Sequence, residues 1–367
     1  MKDKIFKEKD MKRKQNKKNW IPSLLLTFLG TLFFTLSWSS QANASQLNFS
    51  VEPTLPENQY ESGHTYFDLL VQPGQIQELE IKLSNDTEKD VTVISEINPA
   101  TTNLNGVVEY GTSDNQLNDT AKVNLKELLQ SEEQEIVVPA KGETLAKFHL
   151  TVPEEEFEGL VAGGITLKEK EEGEATTNRQ EKEKQGLAIE NKYAYVVAAI
   201  LREADELPKK SLELVNVEAD QVNARNVINA ELKNPQARYL NNLQVATTVK
   251  KKNSNEVLYS TTKDNMQMAP NTSFQFPTTL GGKKLEAGEY ILELKARSGD
   301  DSWSFKKDFH VTADKAEKLN SKDISIPNNH THNYLEYYVI FGIGFILILI
   351  AIFLIYFLKK NKRKEIL

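Results

Sequence analysis

Apolar residues recur at every second position through long stretches of the chain. Phe67, Leu69 and Val71 alternate, Pro73-Gly74 supplies a turn, and Leu79, Ile81 and Leu83 alternate again until Asn85-Asp86. Val91, Val93 and Ile97 continue the pattern, as do Phe148, Leu150 and Val152. Successive side chains of a strand point to opposite faces, so a period of two predicts strands with one face buried.

The second half repeats the signal at Leu212 and Leu214; Ile228, Ala230 and Leu232; Leu243, Val245, Thr247 and Val249; Tyr290, Leu292, Leu294 and Ala296; and Trp303, Phe305, Phe309 and Val311. Turn residues at Asn234-Pro235, Lys252-Asn253, Ala269-Pro270-Asn271, Gly281-Gly282 and Ser298-Gly299-Asp300 separate these runs at the spacing of an immunoglobulin-like Greek key. The predicted fold class is all-β, with two tandem immunoglobulin-like β-sandwiches. One helix is predicted within NDTAKVNLKELLQSEEQE, capped by Asp119 or Thr120 and carrying Val123, Leu125, Leu128 and Leu129 on its inner stripe.

Two stretches modify this picture. VEPTLPENQ, residues 51–59, starts like a strand, but Pro53 and Pro56 each lack a ladder donor, which places it at the opening edge of the first sandwich. LVAGGITL and AIENKYAYVVAAIL predict a long hairpin over 160–202, with a charged tip at 169–186 that has too few apolar residues to fold. Gly163 and Gly164 inside a strand mark a bulge or a close backbone approach, and are candidates for a partner edge.

The ends carry targeting signals. Nine basic residues in 1–19 precede the uncharged stretch 20–38, and Ala42-x-Ala44 offers a cleavage site between Ala44 and Ser45, so 1–44 is read as a signal peptide. Residues 337–358 are 22 uncharged, largely apolar residues, long enough to span a bilayer, and the basic tail 359–367 places the C-terminus in the cytoplasm. SIPNNHTHNYLE upstream is not a sortase motif, so the helix is expected to be retained. The expected domains are 45–206 and 207–312, followed by a polar juxtamembrane tether, 313–336. The protein is thus expected at the cell membrane, single-pass, with its bulk outside.

Charge and composition then exclude chemistries. The net charge is −19 over 45–206 and +2 over 207–336, which argues against nucleic acid as a partner. With no cysteine, disulfides, thiol nucleophiles and zinc-thiolate sites are excluded. The five histidines show no metal-binding spacing, and no GxSxG or phosphate loop occurs, so no catalytic residue, metal or cofactor is assigned. Tyr60, Tyr66 and Tyr110 beside polar loops are candidates for stacking on sugar rings, with Asn103 and Asn105 bonding hydroxyls; the same residues also suit half-buried strand and turn positions.

FSVEPTLPENQ, YFDLLVQPGQIQELEIKLSN, ATTNLNGVVEY, GLVAGGITL and YAYVVAAIL resemble, in order and spacing, the peptidoglycan-binding domain of WxL-interacting proteins of low-GC Gram-positive bacteria. LELVNVEADQVNARNVINAELKNPQARYL, MQMAPNTSFQFP, LEAGEYILELKA and WSFKKDFHV resemble that family's host-binding domain. The resemblance implies a non-enzymatic surface protein that binds peptidoglycan, works beside a WxL-domain protein, and contributes to host or matrix adhesion. A strand-donating assembly chaperone is the alternative, and a wall hydrolase a more distant one.

Overall fold

The computed structural model describes residues 47–170 and 193–327, together with helical residues at 341–343, 345–346 and 349–350. Described residues 49–170 and 194–327 fall within one compact unit. The expected signal peptide, its Ala44/Ser45 junction, most of the charged tip and most of 337–358 lie outside the described residues. Among the described residues, no helix is long and apolar enough to cross a membrane.

The chain is mostly β. Its first half contains β1 (Ser50–Thr54), β2 (Phe67–Leu70), β3 (Ile76–Ser84), β4 (Val91–Pro99), β5 (Thr101–Thr102), β6 (Val108–Glu109), the single-turn helix α1 (Leu125–Leu128), β7 (Leu129–Ser131), β8 (Glu135–Val138), β9 (Glu143–Thr151), β10 (Leu160–Glu169) and β11 (Ala194–Arg202). These form sheets β1-β3-β9-β7 and β2-β11-β10-β4-β8, plus the β5-β6 ribbon. Register follows the apolar period: Leu79 faces Phe148 and Ile81 faces Ala146, all buried, while Glu78, Glu80 and Lys147 form ion pairs on the other face. β1 is an edge strand, with Pro53 opposite Ile81 and Glu52 paired to Lys82 at 2.7 Å.

The second half contains β12 (Glu213–Val222), β13 (Arg225–Lys233), β14 (Leu240–Lys251), β15 (Val257–Met268), β16 (Ser273–Thr279), β17 (Gly288–Ser298), β18 (Asp301–Val311) and α2 (Ala313–Lys322). Sheets β12-β13-β16 and β15-β14-β17-β18 bury one shared core that includes Ile228, Ala230, Phe276, Val245, Leu292 and Tyr290. A buried hydroxyl pair, Thr247 and Thr278 at 2.7 Å, joins them inside that core.

The structure departs from the sequence pattern in two places. The helix expected within 118–135 shrinks to α1, because Asn118 Oδ1 accepts from the amide and hydroxyl of Thr120 and holds a turn there. Asn124 is the cap instead, and Leu129 enters β7 opposite Leu150. The expected polar tether begins as the docked helix α2: Ala316 and Leu319 are buried, and Asn320 exchanges two hydrogen bonds of 2.8 Å with the backbone of Leu285.

Asp323, just past α2, is buried and accepts from the Asn226 amide at 2.8 Å and the Ser325 amide at 2.7 Å. Burial works to raise its pKa, but hydrogen bonds from Ser325, Asn226 and Ile326 outweigh this and hold it below the usual carboxylate range. A depressed folded pKa contributes stability that is present above the unfolded value and is lost as pH falls through the folded one. The contribution of Asp323 to docking of α2 should therefore be full above about pH 4 and weaken progressively as the pH falls below that ordinary carboxylate value. Asp323→Ala should release α2 at neutral pH at a cost of about 1–3 kcal/mol. Amide exchange in 313–322 checks both outcomes.

Candidate functional site

After β1 the chain turns at Pro56, whose carbonyl accepts from the Gln59 amide, and 58–60 then run along the outer side of β2. Leu70 N donates to Asn58 O at 3.0 Å and Tyr60 N to Asp68 O at 2.6 Å, so the segment that began as VEPTLPENQ fixes Tyr60 beside β2. The Arg202 guanidinium, arriving on β11, sits 3.8 Å from the centre of the Tyr60 ring. Its Nη2 donates to Asp68 Oδ1 at 2.6 Å, while its Nε is buried without a hydrogen-bond partner. Asp68 is only 3% exposed, between buried Phe67 and Leu69.

His64 stacks on Tyr66 at 4.6 Å and 14°. Its Nε2 lies 3.2 Å from Glu61 Oε2, and its Nδ1 lies 3.4 Å from Asp68 Oδ2 without forming a hydrogen bond. Burial, then the charge of Asp68, pushes the Tyr66 hydroxyl up from its ordinary value. The Tyr110 hydroxyl donates to Tyr239 OH at 3.1 Å; burial raises the pKa of both, that of Tyr239 strongly.

Tyr60 and Tyr66 thus share one cluster around Asp68, and Tyr110 joins it through a small core of Ala100, Leu160, Ala162, Ile200 and Ala269 against which Tyr66, Tyr110 and Tyr239 pack. The pattern of single residues did not single out His64, Asp68, Arg202 or Tyr239. A signal was available for Asp68, since an acid inside the apolar run FDLL must be paired if it is buried.

Asn103 and Asn105 lie apart from this cluster, at the tip of the β5-β6 ribbon. Asn103 Oδ1 accepts from the amides of Asn105 (2.9 Å) and Val107 (3.2 Å), and its Nδ2 donates to Glu109, so its side chain is committed to the turn. Gly163 and Gly164 lie in β10, between β11 and β4, so neither is on a sheet edge. The backbone that comes close is the protein's own: a Cβ on Gly163 would stand 2.3 Å from Asn98 O, and one on Gly164 2.6 Å from Tyr110 O.

The cluster borders a junction between the two halves that is closed by a buried hydroxyl pair and by more exposed polar contacts. Thr102 Oγ1 meets Thr272 Oγ1 at 2.8 Å and accepts from the Ala269 amide at 3.0 Å. Leu160 N donates to Ala237 O at 2.7 Å, Asn118 Nδ2 to Asn234 O at 3.0 Å, and Lys233 pairs with Asp119 at 2.5 Å. The buried Thr102, Thr272 and Ala269 groups favour one orientation, because another would leave them unpaired.

Two other features are chemically simpler. Glu78, Glu132 and His149 converge on an exposed face, but Lys147 already holds Glu78 at 2.8 Å. A shallow depression of about 450 Å³ on the outer face of β14, β17 and β18 is lined by Gln244, Lys295, Arg297, Ser302 and Ser304, without a carboxylate.

Comparison with known proteins also divides the chain in two, with the second match beginning ahead of β11. The model of the WxL Interacting Protein peptidoglycan binding domain matches residues 49–169, and that of the WxL Interacting Protein host binding domain matches 184–321. Among curated proteins none matches the chain. Similar solved structures include the CupB2 chaperone of Pseudomonas aeruginosa (9% identity, 64% of this chain and 93% of that one, TM-score 0.25). The DraB chaperone of E. coli (12%, 71% and 95%, 0.25) and the CsuC-CsuE chaperone-tip adhesion subunit complex of Acinetobacter baumannii (8%, 63% and 90%, 0.28) are others. At these TM-scores the likeness carries no argument about this chain.

Proposed function

The chain belongs to the WxL-interacting protein family, and from that premise we propose that it is a non-enzymatic cell-surface protein whose first half binds peptidoglycan and whose second half binds a host or matrix ligand. In this reading the signal peptide is removed before Ser45, residues 337–358 anchor the protein in the membrane, and the two halves are immunoglobulin-like sandwiches. A WxL-domain protein is its surface partner. The absence of cysteine, of a GxSxG motif and of a phosphate loop from the sequence supports a binding role rather than hydrolysis.

The observation that carries the peptidoglycan assignment is the gathering of Tyr60, Tyr66, Tyr110 and His64, all within the matched residues 49–169, with Arg202, which β11 brings in from beyond that match. Half-buried aromatic rings offer apolar faces to sugar rings, and the neighbouring charged groups supply hydrogen bonds to polar substituents. The junction beside the cluster would hold the wall-binding and host-binding halves in a fixed relation.

Tyr60→Ala tests the site. It removes one ring and one cation–π contact worth about 0.5–1 kcal/mol, so folding should persist. Retention of the full-length chain on purified sacculi should weaken by about tenfold, ~1.4 kcal/mol. Unchanged retention would remove the cluster from this role while leaving the family assignment intact.

A further inference from the structure

β11 pairs with β10 through nine consecutive residues, Ala194 to Arg202, without a break in register. On its other side β2 pairs only with Ala199–Arg202. Ala194–Ala198 therefore has no strand beside it on that side among the described residues. The direction of its peptide groups follows from one hydrogen bond: Arg202 O accepts from Val71 N at 2.8 Å, on the β2 side. Peptide groups alternate along a strand, so Ala194 and Val196 turn both N–H and C=O to the open side, while Tyr195 and Val197 turn theirs to β10.

An open edge is a template for pairing, and proteins normally blunt it with proline, charge or a bulge. The other long edges here carry such devices. β1 has Pro53, β16 has Pro277, β12 has a bulge between Leu214 and Asn216, β15 has three register breaks and Lys263, and β18 has Lys306 and Lys307. The stretch AYVVA at 194–198 has none: no charge, no proline and no break in register. Its Tyr195 and Val196 side chains are 37% and 44% exposed despite their apolar character.

The slot has defined limits. Phe67, the first residue of β2, closes one end, and Phe49 lies edge-on against Tyr195 at 5.4 Å along the side. Five residues at about 3.3 Å each leave room for a strand of about five residues, in line with β2. Tyr195 and Val196 point to opposite faces, so apolar side chains on a guest strand would find a partner on either face. The first half carries −19 over 45–206, which favours basic flanks on the guest and opposes a second copy of this chain, whose edge would bring the same charge.

We propose that the Ala194–Ala198 edge of β11 is a docking site that accepts, by main-chain pairing, a short apolar strand with lysine or arginine flanks from a partner protein. The proposal is independent of the peptidoglycan reading, because this edge and the Tyr60 cluster use different atoms, and sacculus retention does not report on it.

Residue-resolved amide exchange on the full-length chain tests it, with the capped peptide Lys-Val-Thr-Val-Thr-Val-Lys as probe. Without peptide, the Ala194 and Val196 amides should exchange about tenfold faster than those of Tyr195 and Val197. Saturating peptide should slow Ala194 and Val196 by about tenfold and leave Val197 unchanged. The same peptide N-methylated at alternate residues, which cannot pair, should have no effect, and this control leaves the protein unaltered. Three results would overturn the proposal. One is slow exchange at Val196 without peptide, which if concentration-independent points to cover by this chain itself and if concentration-dependent to a second copy. The others are no response to the parent peptide, and equal slowing by its N-methylated form.

Discussion

Arg202→Met should lower the stability of the first half by about 3–5 kcal/mol, the cost of stranding a buried charge. Asp68 is 3% exposed, and the Arg202 guanidinium, 2.6 Å away, is the one cation paired with it by a hydrogen bond among the described residues. Methionine fills a similar volume but leaves the carboxylate without its counter-charge. The loss should appear in thermal unfolding as a drop of roughly 10 °C. The double variant Asp68→Leu with Arg202→Met should recover most of it, since replacing both partners of a buried pair by apolar groups is often close to neutral. A single variant as stable as the wild type would mean that Asp68 is not buried as a charge.

Gly163→Ala should be comparably damaging, for a steric reason. The new Cβ would stand 2.3 Å from Asn98 O and 2.5 Å from Leu125 Cδ2. Asn98 belongs to β4, which is hydrogen-bonded to β10 with Pro99 opposite Gly163, so relief requires parting the two central strands of the sheet. A cost of about 3 kcal/mol is expected, at the upper end for overpacking. Gly63→Ala is the matched control: nothing lies within 4 Å of its added Cβ, and its stability should stay within about 0.5 kcal/mol of the wild type. Denaturant midpoints of the two variants decide the matter.

Much of the strand framework was legible because burial imposes period two on half-buried strands. Leu79, Ile81 and Leu83 of β3, and Phe148 and Leu150 of the neighbouring β9, could be assigned from spacing alone. β15 was less legible because it is an edge strand whose side chains are mostly exposed, so VLYSTTKDNMQM has no sustained apolar alternation. β16 does alternate at Phe274 and Phe276, but Pro277 inside it reads as a break, which an edge position tolerates. α2 was hidden for another reason: only Ala316 and Leu319 of ADKAEKLNSK are buried, too narrow a stripe to distinguish a docked helix from a polar tether.

The candidate site divides in the same way. Tyr60, Tyr66 and Tyr110 could be named from residue type beside polar loops. Their grouping with Arg202 depends on the parallel pairing of β2 with β11, more than 130 residues apart in sequence, and no local pattern encodes that pairing. Asn103 was read for its hydrogen-bonding capacity, and its own turn consumes that capacity. Gly163 and Gly164 were read as a bulge or a close backbone approach; the register beside them is unbroken, and the backbone that comes close belongs to the same chain.

The central claim is that this chain holds peptidoglycan through its first half. Co-sedimentation of the full-length protein with purified sacculi tests it most directly. The account predicts saturable retention that soluble peptidoglycan fragments compete away. A folded protein that stays in the supernatant at every sacculus concentration would contradict it.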